Sequence, residues 1–192
     1  MKIAPGIPTG QTDAAAALYW EAFGQKLRPV LGPDTRALRF VASVIDPHHA
    51  ISATDSTGRL IGIVGFKTAK GALVGGSLMA LAAVYGLSGA LWRAGLLSLL
   101  ARDTENTRFL TDGLCVASDA RGRGTGTALL QALSTEARRR DYAELRLDVV
   151  DTNTRAAALY TRLGFRPVKT TSIGPLRHIF GYQHTITMVR PV

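Results

Sequence analysis

The chain has 192 residues, 46% of them hydrophobic, and 23 basic against 14 acidic side chains give it a formal net charge of +9. This length and apolar content exclude a disordered chain and predict one globular domain over residues 1–192. The lone cysteine, Cys115, excludes an internal disulfide, and the first residues carry no apolar run as long as a secretory signal. We therefore expect a cytoplasmic protein. Its charge favours an anionic partner, whether a nucleic acid, a membrane surface or a phosphorylated small molecule.

The N-terminal part of the chain alternates strand-like and helix-like patterns. The predicted elements are a strand at residues 2–5, a helix at 14–27, a second helix that begins after Pro33 and Asp34 and ends at Asp46, and two strands on either side of the turn at 55–58. The second helix is indicated by apolar residues at positions 38, 41 and 45. Within the first helix, Leu18, Trp20 or Tyr19, and Phe23 are candidates for burial. The hairpin is indicated by the turn sequence DSTG between two apolar runs.

The segment GALVGGSLMALAAVYGLSGALW, from Gly71 to Trp92, contains no charged residue and is long enough to be considered as a membrane helix. However, it lies between two strands expected to pair in one sheet, which a single crossing would separate across the bilayer. Its five glycines also disfavour a continuous helix, by about 1 kcal/mol each relative to alanine. We therefore predict no stable membrane insertion and an apolar helical insert at about residues 71–102, folded as a hairpin. It would pack on the core, form a homodimer interface or cover the active site, and a transient membrane contact is the remaining alternative.

The C-terminal part returns to alternating elements. Strands are predicted at residues 108–116, 143–150, 166–172 and 184–189, and helices at 124–140 and 154–163. Together with the first part, this pattern predicts an α/β or α+β fold with a sheet of six or seven strands flanked by helices.

A basic, glycine-rich loop, DARGRGTGTALL at residues 119–130, joins a predicted strand to a predicted helix. It matches neither GxxxxGK[ST] nor GxGxxG. A helix start exposes unpaired N–H groups and favours acidic residues, yet this one carries Arg121 and Arg123. Cations at this position predict an anion bound between them, approached closely by the glycine backbone. A tight turn with solvated arginines is the alternative.

The segment LCVASDARGRGTGTALLQAL resembles the acetyl-CoA loop of the GNAT superfamily of N-acetyltransferases. That loop has Arg or Gln, two residues, Gly, one residue, and Gly or Ala, matched here by Arg121, Gly124 and Gly126. Downstream, DVVDTNTRAAALYTRLGF resembles the family's second signature, and the two motifs cover about residues 110–167. The residues that match the second signature are Asn153, Ala156, Leu159, Tyr160, Gly164 and Phe165. Ser118 is a departure, because many members have Pro there.

The resemblance implies a mixed, mostly antiparallel sheet splayed in the middle to admit CoA, and direct transfer of an acetyl group from acetyl-CoA to an amine, without a covalent enzyme intermediate. Backbone N–H groups of the loop would hold the pyrophosphate. The pantetheine arm would pair along the strand edge before the loop, where the Val116 N–H would donate to the thioester carbonyl. Cys115 then needs no nucleophilic role. The cofactor-binding residues implied in this way are Leu114, Cys115, Val116, Arg121, Gly122, Arg123, Gly124, Thr125, Gly126, Thr127, Asn153 and Tyr160.

Two side chains are candidates for proton transfer. An alkyl amine must lose a proton before it attacks, at a cost of about 4 kcal/mol at neutral pH. Asp112 is the candidate base, since it precedes Val116 by four residues, where some members of the resembled family carry one; a water chain or a merely solvated or capping Asp112 are the alternatives. Tyr160 is the candidate general acid for the CoA thiolate, because the family commonly has Tyr there and its phenol is protonated at pH 7. A packed helix tyrosine is the alternative.

The histidines give no sign of a metal site. His48, His49, His178 and His184 are scattered without metal-ligand spacing, so we expect no metal and place them on loops or the surface.

Two other functions remain open. The positive charge would suit a nucleic-acid-binding module, but aromatic residues are only 7% and no RNA- or DNA-binding motif accompanies the arginines at 138–140. We therefore expect no nucleic-acid partner. The second alternative is a CoA-binding sensor domain that lacks an acceptor site. For an enzyme, we expect the acceptor to be a small-molecule or peptide amine.

Overall fold

The computed structural model describes residues 1–100 and 107–192, which form seven strands and six α-helices. The strands are β1 (Lys2–Pro5), β2 (Ala50–Thr54), β3 (Leu60–Lys67), β4 (Phe109–Val116), β5 (Glu144–Val150), β6 (Arg166–Ser172) and β7 (His184–Pro191). The helices are α1 (Thr12–Leu31), α2 (Asp34–Val44), α3 (Leu78–Leu100), α4 (Thr125–Arg139), α5 (Thr154–Arg162) and α6 (Arg177–Phe180). Among the described residues, short α6 is the one α-helix that the sequence patterns did not predict.

The strands form one sheet in the order β1-β2-β3-β4-β5-β7-β6, antiparallel except between β4 and β5. This parallel pair is held where Phe109 lies opposite Leu145 and Leu110 opposite Arg146, after which the two strands separate. Among the described residues, the edge of β4 that faces β5 therefore has no strand partner over residues 111–116. The predicted fold, a mixed and mostly antiparallel sheet splayed in the middle, is confirmed.

A β-bulge in β4 lies where the two central strands separate. Val64 of β3 pairs with Leu114, and Phe66 pairs with Thr111, so that Gly65 alone stands opposite two residues of β4. A bulge of this kind bends its strand and increases the local twist. Gly113, in the bulge, has a φ of +95°, and a Cβ there would lie 2.9 Å from the Phe23 ring of α1. Only glycine combines this backbone conformation with so close an approach of α1.

Helices cover both faces of the sheet. A Cβ built at Gly62 of β3 would lie 3.1 Å from the Leu129 side chain of α4, whereas one built at Gly65 would meet Leu73 of the insert. Because side chains alternate along a strand, these two positions face opposite sides. The core lies in the layers between, and its largest fully buried side chains include Phe109, Phe165, Ile63, Leu129, Leu130, Leu133 and Leu145.

Helix α1 extends further than its sequence pattern indicates. We predicted an end near residue 27, but the helix continues through Pro29 to Leu31. Val30 and Leu31 are both buried, so tertiary packing favours the additional turn. Of the residues predicted to be buried in this helix, Leu18 and Trp20 are buried, whereas Tyr19 and Phe23 are only half-buried.

The insert is helical, as predicted, but its two helical segments join directly at Gly86, whose φ of 73° and ψ of 167° are non-helical. This backbone region is essentially restricted to glycine. Leu81, Tyr85 and Ala90 are buried against the domain, whereas much of the opposite side is exposed. By length and composition, the stretch Leu78–Ser98 could cross a membrane, with a mean hydropathy of 1.3 and 17% of it buried. These criteria alone are weak evidence for a span.

Polar contacts fix the start of the insert to β4 and to the turn between α2 and β2. The Asp46 N–H donates to the Leu73 carbonyl at 2.9 Å, and the Val74 N–H donates to the Asp112 carboxylate at 3.2 Å. His49 lies 2.7 Å from Asp46 and 3.1 Å from the Thr68 hydroxyl through its two ring nitrogens. His49 lies in the short turn between α2 and β2, within the predicted choice of a loop or the surface, but it is buried, and these two partners satisfy both of its ring nitrogens.

Replacing Gly65 by alanine should destabilise the protein by about 1–3 kcal/mol, because overpacking of this kind forces the backbone apart. The added Cβ would lie 2.5 Å from Leu73 and 2.6 Å from the Asp112 carbonyl oxygen. Gly75→Ala is the matched control, since a Cβ there meets nothing within 4 Å. Its effect should stay within about 0.5 kcal/mol in urea unfolding. Equal stability of the two variants would contradict the close packing of the insert on β3.

Candidate active site

A cleft of about 700 Å³ opens where β4 and β5 separate. Its walls come from α1, β4, the loop before α4, the first turn of α4, β5 and α5. Most of the residues predicted to bind a cofactor line this cleft. They are Leu114, Val116, Arg121, Gly122, Gly124, Thr125, Gly126, Thr127, Asn153 and Tyr160. Cys115 and Arg123 are not in its lining.

The free edge of β4 presents backbone polar groups to the cleft. The Ala117 N–H donates to the Ile61 carbonyl of β3 at 2.9 Å, and successive residues of a strand direct their polar groups to opposite sides. The N–H and carbonyl groups of Leu114 and Val116 therefore point away from β3 and into the cleft. Cys115 lies between them with its side chain fully buried, and burial raises the pKa of its thiol. Such a thiol is a poor nucleophile at neutral pH.

The glycine-rich loop brings the N-terminus of α4 to the cleft. Gly122 and Gly124 have φ values of +77° and +81°, and Gly124 caps the helix in the left-handed conformation. The first backbone hydrogen bond of the helix runs from Ala128 N–H to the Gly124 carbonyl at 3.0 Å. The N–H groups of Thr125, Gly126 and Thr127 therefore have no partner within the helix. These donors and the helix dipole favour an anion here.

Gly126 keeps a passage open between the helix and the opposite wall. A Cβ at this position would lie 3.3 Å from the Leu159 side chain of α5 and 3.7 Å from that of Leu114. Because glycine has no side chain at this position, a ligand can reach the backbone N–H groups at the start of α4. By contrast, the Thr125 side chain is buried, and its hydroxyl donates to the Ala120 carbonyl at 3.3 Å. Thr125 can therefore offer a ligand its N–H group but not its hydroxyl.

The two arginines of the loop differ in their surroundings. Arg121 pairs with Glu21 of α1 at 2.5 Å, and its Nε donates to the Val116 carbonyl at 2.9 Å. This side chain thereby connects α1 to the end of β4, and its charge is compensated by a residue far away in sequence. Arg123 is exposed outside the cleft. Further positive charge in the cleft wall comes from Arg155 and Arg162 of α5.

The second motif places Asn153 and Tyr160 on the far wall. The Asn153 side chain accepts a hydrogen bond from the Ala156 N–H at 3.1 Å and so caps α5, which leaves its amide NH₂ group as a donor. Tyr160 is buried, with its ring centroid 5.9 Å from that of Phe165. Burial raises the pKa of Tyr160 to about 12, so the phenol is protonated at neutral pH.

Asp112 lies in the bulge of β4 and lines the cleft. Burial raises the pKa of its carboxyl, while the hydrogen bond from the Val74 N–H and the positive charge of Lys67 act in the opposite direction. A raised pKa makes the ionised form a stronger base near neutral pH.

Sequence reasoning missed the part of the cleft wall that α1 provides. Tyr19, Phe23 and Lys26 all line the cleft. The two rings lie 4.7 Å apart, and the Lys26 ammonium lies 4.7 Å from the Phe23 centroid. Burial lowers the pKa of Lys26 and, together with the charge of Asp112, raises that of Tyr19. Their spacing of four and three residues on one helical face was the available signal.

Asp148 of β5 was also missed. It lines the cleft and accepts a hydrogen bond from the Thr187 hydroxyl at 2.6 Å.

In the ranges that the structure describes, no group of three or more His, Cys, Asp or Glu side chains is arranged to hold a metal ion.

The chain is similar to known acetyltransferases in both sequence and structure. The model of the acetyltransferase (GNAT) family matches residues 13–165. An N-acetyltransferase from Staphylococcus aureus has a TM-score of 0.69 at 13% identity, over 99% of this chain and 100% of its own. The ribosomal-protein-S18-alanine N-acetyltransferase from Escherichia coli has a TM-score of 0.61 at 18% identity, over 100% of this chain and 93% of its own. The Drosophila melanogaster polyamine N-acetyltransferase has a TM-score of 0.60 at 15% identity, over 100% of this chain and 99% of its own.

At these identities, the structural similarities show the fold alone, and no curated protein sequence matches the chain. The family match extends over most of the chain and includes both motifs that form the cleft. The sheet, which is splayed between β4 and β5, is the one expected for this family. This protein therefore belongs to the acetyltransferase (GNAT) family of enzymes, which transfer an acetyl group from acetyl-CoA to an amine.

Proposed function

We propose that this enzyme acetylates a small-molecule or peptide amine by direct attack within a ternary complex, with Tyr160 as the general acid and Asp112 as the base. The observation that carries the proposal is that one cleft contains the free edge of β4, the unpaired N-terminus of α4 and both of these side chains. Family membership supplies the reaction class, and the local geometry supports the individual roles.

The cleft fits CoA in two respects. The N–H groups of Thr125, Gly126 and Thr127 offer donors to a pyrophosphate, and Gly126 leaves room for its close approach. Leu114 offers its backbone N–H and carbonyl to the amides of the pantetheine arm, which would add to the sheet like a strand. Bound acetyl-CoA supplies the acetyl group as a thioester.

The chain's own residues would handle charge and protons. The Val116 N–H points into the cleft and is positioned to stabilise negative charge that develops on a carbonyl oxygen. Asp112 would accept the proton of the attacking amine, and Tyr160 would donate a proton to the departing sulfur. The acceptor would bind at the wall formed by Tyr19, Phe23 and Lys26, which adjoins Asp112 through Gly113. A sensor domain without catalysis would need neither this wall nor the two proton carriers.

Gly126→Asp should weaken acetyl-CoA binding at least about tenfold, because a side chain would fill the passage and its charge would repel a pyrophosphate. Isothermal titration calorimetry measures the affinity directly. Gly75→Asp introduces the same charge at an open position outside the cleft and should leave the affinity unchanged. Equal affinities of the two variants would refute the placement of the pyrophosphate.

Tyr160→Phe should lower kcat by about tenfold to a hundredfold while acetyl-CoA affinity remains nearly intact, because the phenol acts only when the thiol leaves. Tyr182→Phe is the matched control, since Tyr182 is buried outside the cleft. Steady-state kinetics with an accepted amine and calorimetry with acetyl-CoA provide the two readouts. Unchanged turnover in Tyr160→Phe would remove its role as the acid.

Asp112→Asn should change the pH dependence of kcat/KM. Since the pKa of Asp112 is raised, the active ionised form accumulates as pH rises through a value above the usual range of Asp. The wild-type kcat/KM should therefore rise with pH through the pKa of Asp112. In the variant this rise should be missing, and only the rise at higher pH that comes from deprotonation of the substrate amine should remain. The asparagine oxygen still accepts from Val74, so the packing is retained. A variant with the wild-type profile would show that Asp112 is not the base.

A further inference from the structure

Most of the exposed large hydrophobic side chains of the described residues belong to α3. Met79, Leu87 and Leu91 are 82%, 75% and 62% exposed, and Leu78 and Trp92 are nearly half exposed. We call these five residues the apolar face. Elsewhere in the described ranges, the exposed large hydrophobic side chains are Met1, Val168 and Ile179, which are well separated in the chain. Apolar surface concentrated in this way marks an interaction site.

The apolar face lies apart from the active site. None of the residues that line the cleft belongs to α3, so the described residues give no support to the alternative in which this helix walls the active site. A partner could therefore cover the face and leave the cleft open.

Along the sequence that contains the apolar face, the charged side chains are all basic. No acidic residue occurs between Asp55 and Asp103, whereas Lys67 and Lys70 precede the insert and Arg93 lies within α3. Neighbouring α2 adds two exposed cations, at residues 36 and 39, and its one acidic residue, Asp34, is paired with Arg28 of α1 at 2.8 Å. Two copies of this face would bring like charges together on a protein of net charge +9. A partner with an apolar interior and an anionic surface complements it instead.

The geometry favours a helix that lies on a bilayer rather than one that crosses it. The inner side of α3 is held by the domain, where Tyr85 packs against Phe40 of α2 with ring centroids 6.2 Å apart. The insert also leaves and rejoins the sheet at adjacent positions, since Lys67 of β3 pairs with Leu110 of β4. Only the outer side is thus available to lipid. Trp92, with Arg93 stacked 4.2 Å from its ring, is a residue type typical of membrane interfaces.

We propose that α3 docks this enzyme reversibly on an anionic lipid bilayer. Met79, Leu87 and Leu91 enter the boundary between headgroups and acyl chains, and the surrounding lysines and arginines contact lipid phosphates. This surface is independent of the acetyl transfer reaction.

Vesicle sedimentation tests the proposal. The protein should co-sediment with vesicles of equal parts phosphatidylglycerol and phosphatidylcholine, and much less with phosphatidylcholine alone. Leu87→Ser together with Leu91→Ser should lower the partition coefficient at least about tenfold without changing the net charge. Replacing Arg36 and Arg39 by glutamine should weaken binding at low salt more than at high salt.

Val168→Ser is the matched control, because Val168 is also an exposed apolar residue (54%) but lies on β6. It should bind vesicles like the wild type, and thermal unfolding should show that all variants are folded. Absence of binding to anionic vesicles, or full binding by the double serine variant, would overturn the proposal. So would a dimer in light scattering that the double serine variant dissociates, because a second copy would then cover the apolar face.

Discussion

The backbone hydrogen bonds of β4 impose the constraint on which this structure depends. The strand keeps β3 as a partner along its length but pairs with β5 only at Phe109 and Leu110. The bulge at Gly113 bends β4 at this point, and its bare Cα admits Phe23 of α1. The same departure from regular pairing thus opens the cleft, exposes a row of backbone donors and acceptors, and brings α1 to the site.

The glycine-rich loop before α4 has two roles, ligand binding and a structural contact, and its sequence does not show which residue serves which role. The glycines free the N-terminus of α4 for a ligand, whereas Arg121 connects α1 to β4 through Glu21 and Val116. A cation at a helix start is unfavourable in isolation, but here a carboxylate compensates it. The electrostatic anomaly that marks the loop is therefore partly a structural contact. The positive charge that remains for a ligand comes from Arg155 and Arg162 on α5 and from Lys26 on α1.

The sequence predicts the order of the strands and helices well, because their periodicity and turn signals are local. The splay of the sheet and the identity of the loop follow from the resemblance carried by residues 110–167, since periodicity contains no information on where two strands part. Contacts between distant segments could not be predicted. Tyr19 and Phe23 read as core residues because their spacing is the same whether a helix faces a core or a cleft. The burial of His49 in its turn could not be predicted, because its partners, Asp46 and Thr68, are recognisable only once the turn is folded.

The burial of Cys115 has a practical consequence for work on this enzyme. Acetyl transfer releases a free thiol, CoA-SH, and the protein's single cysteine, on β4, is fully buried. With a raised pKa and no solvent access, it reacts slowly with disulfide reagents while the protein stays folded. A colorimetric thiol assay can therefore follow turnover continuously with little background from the enzyme, and the appearance of an extra equivalent of thiol reports unfolding.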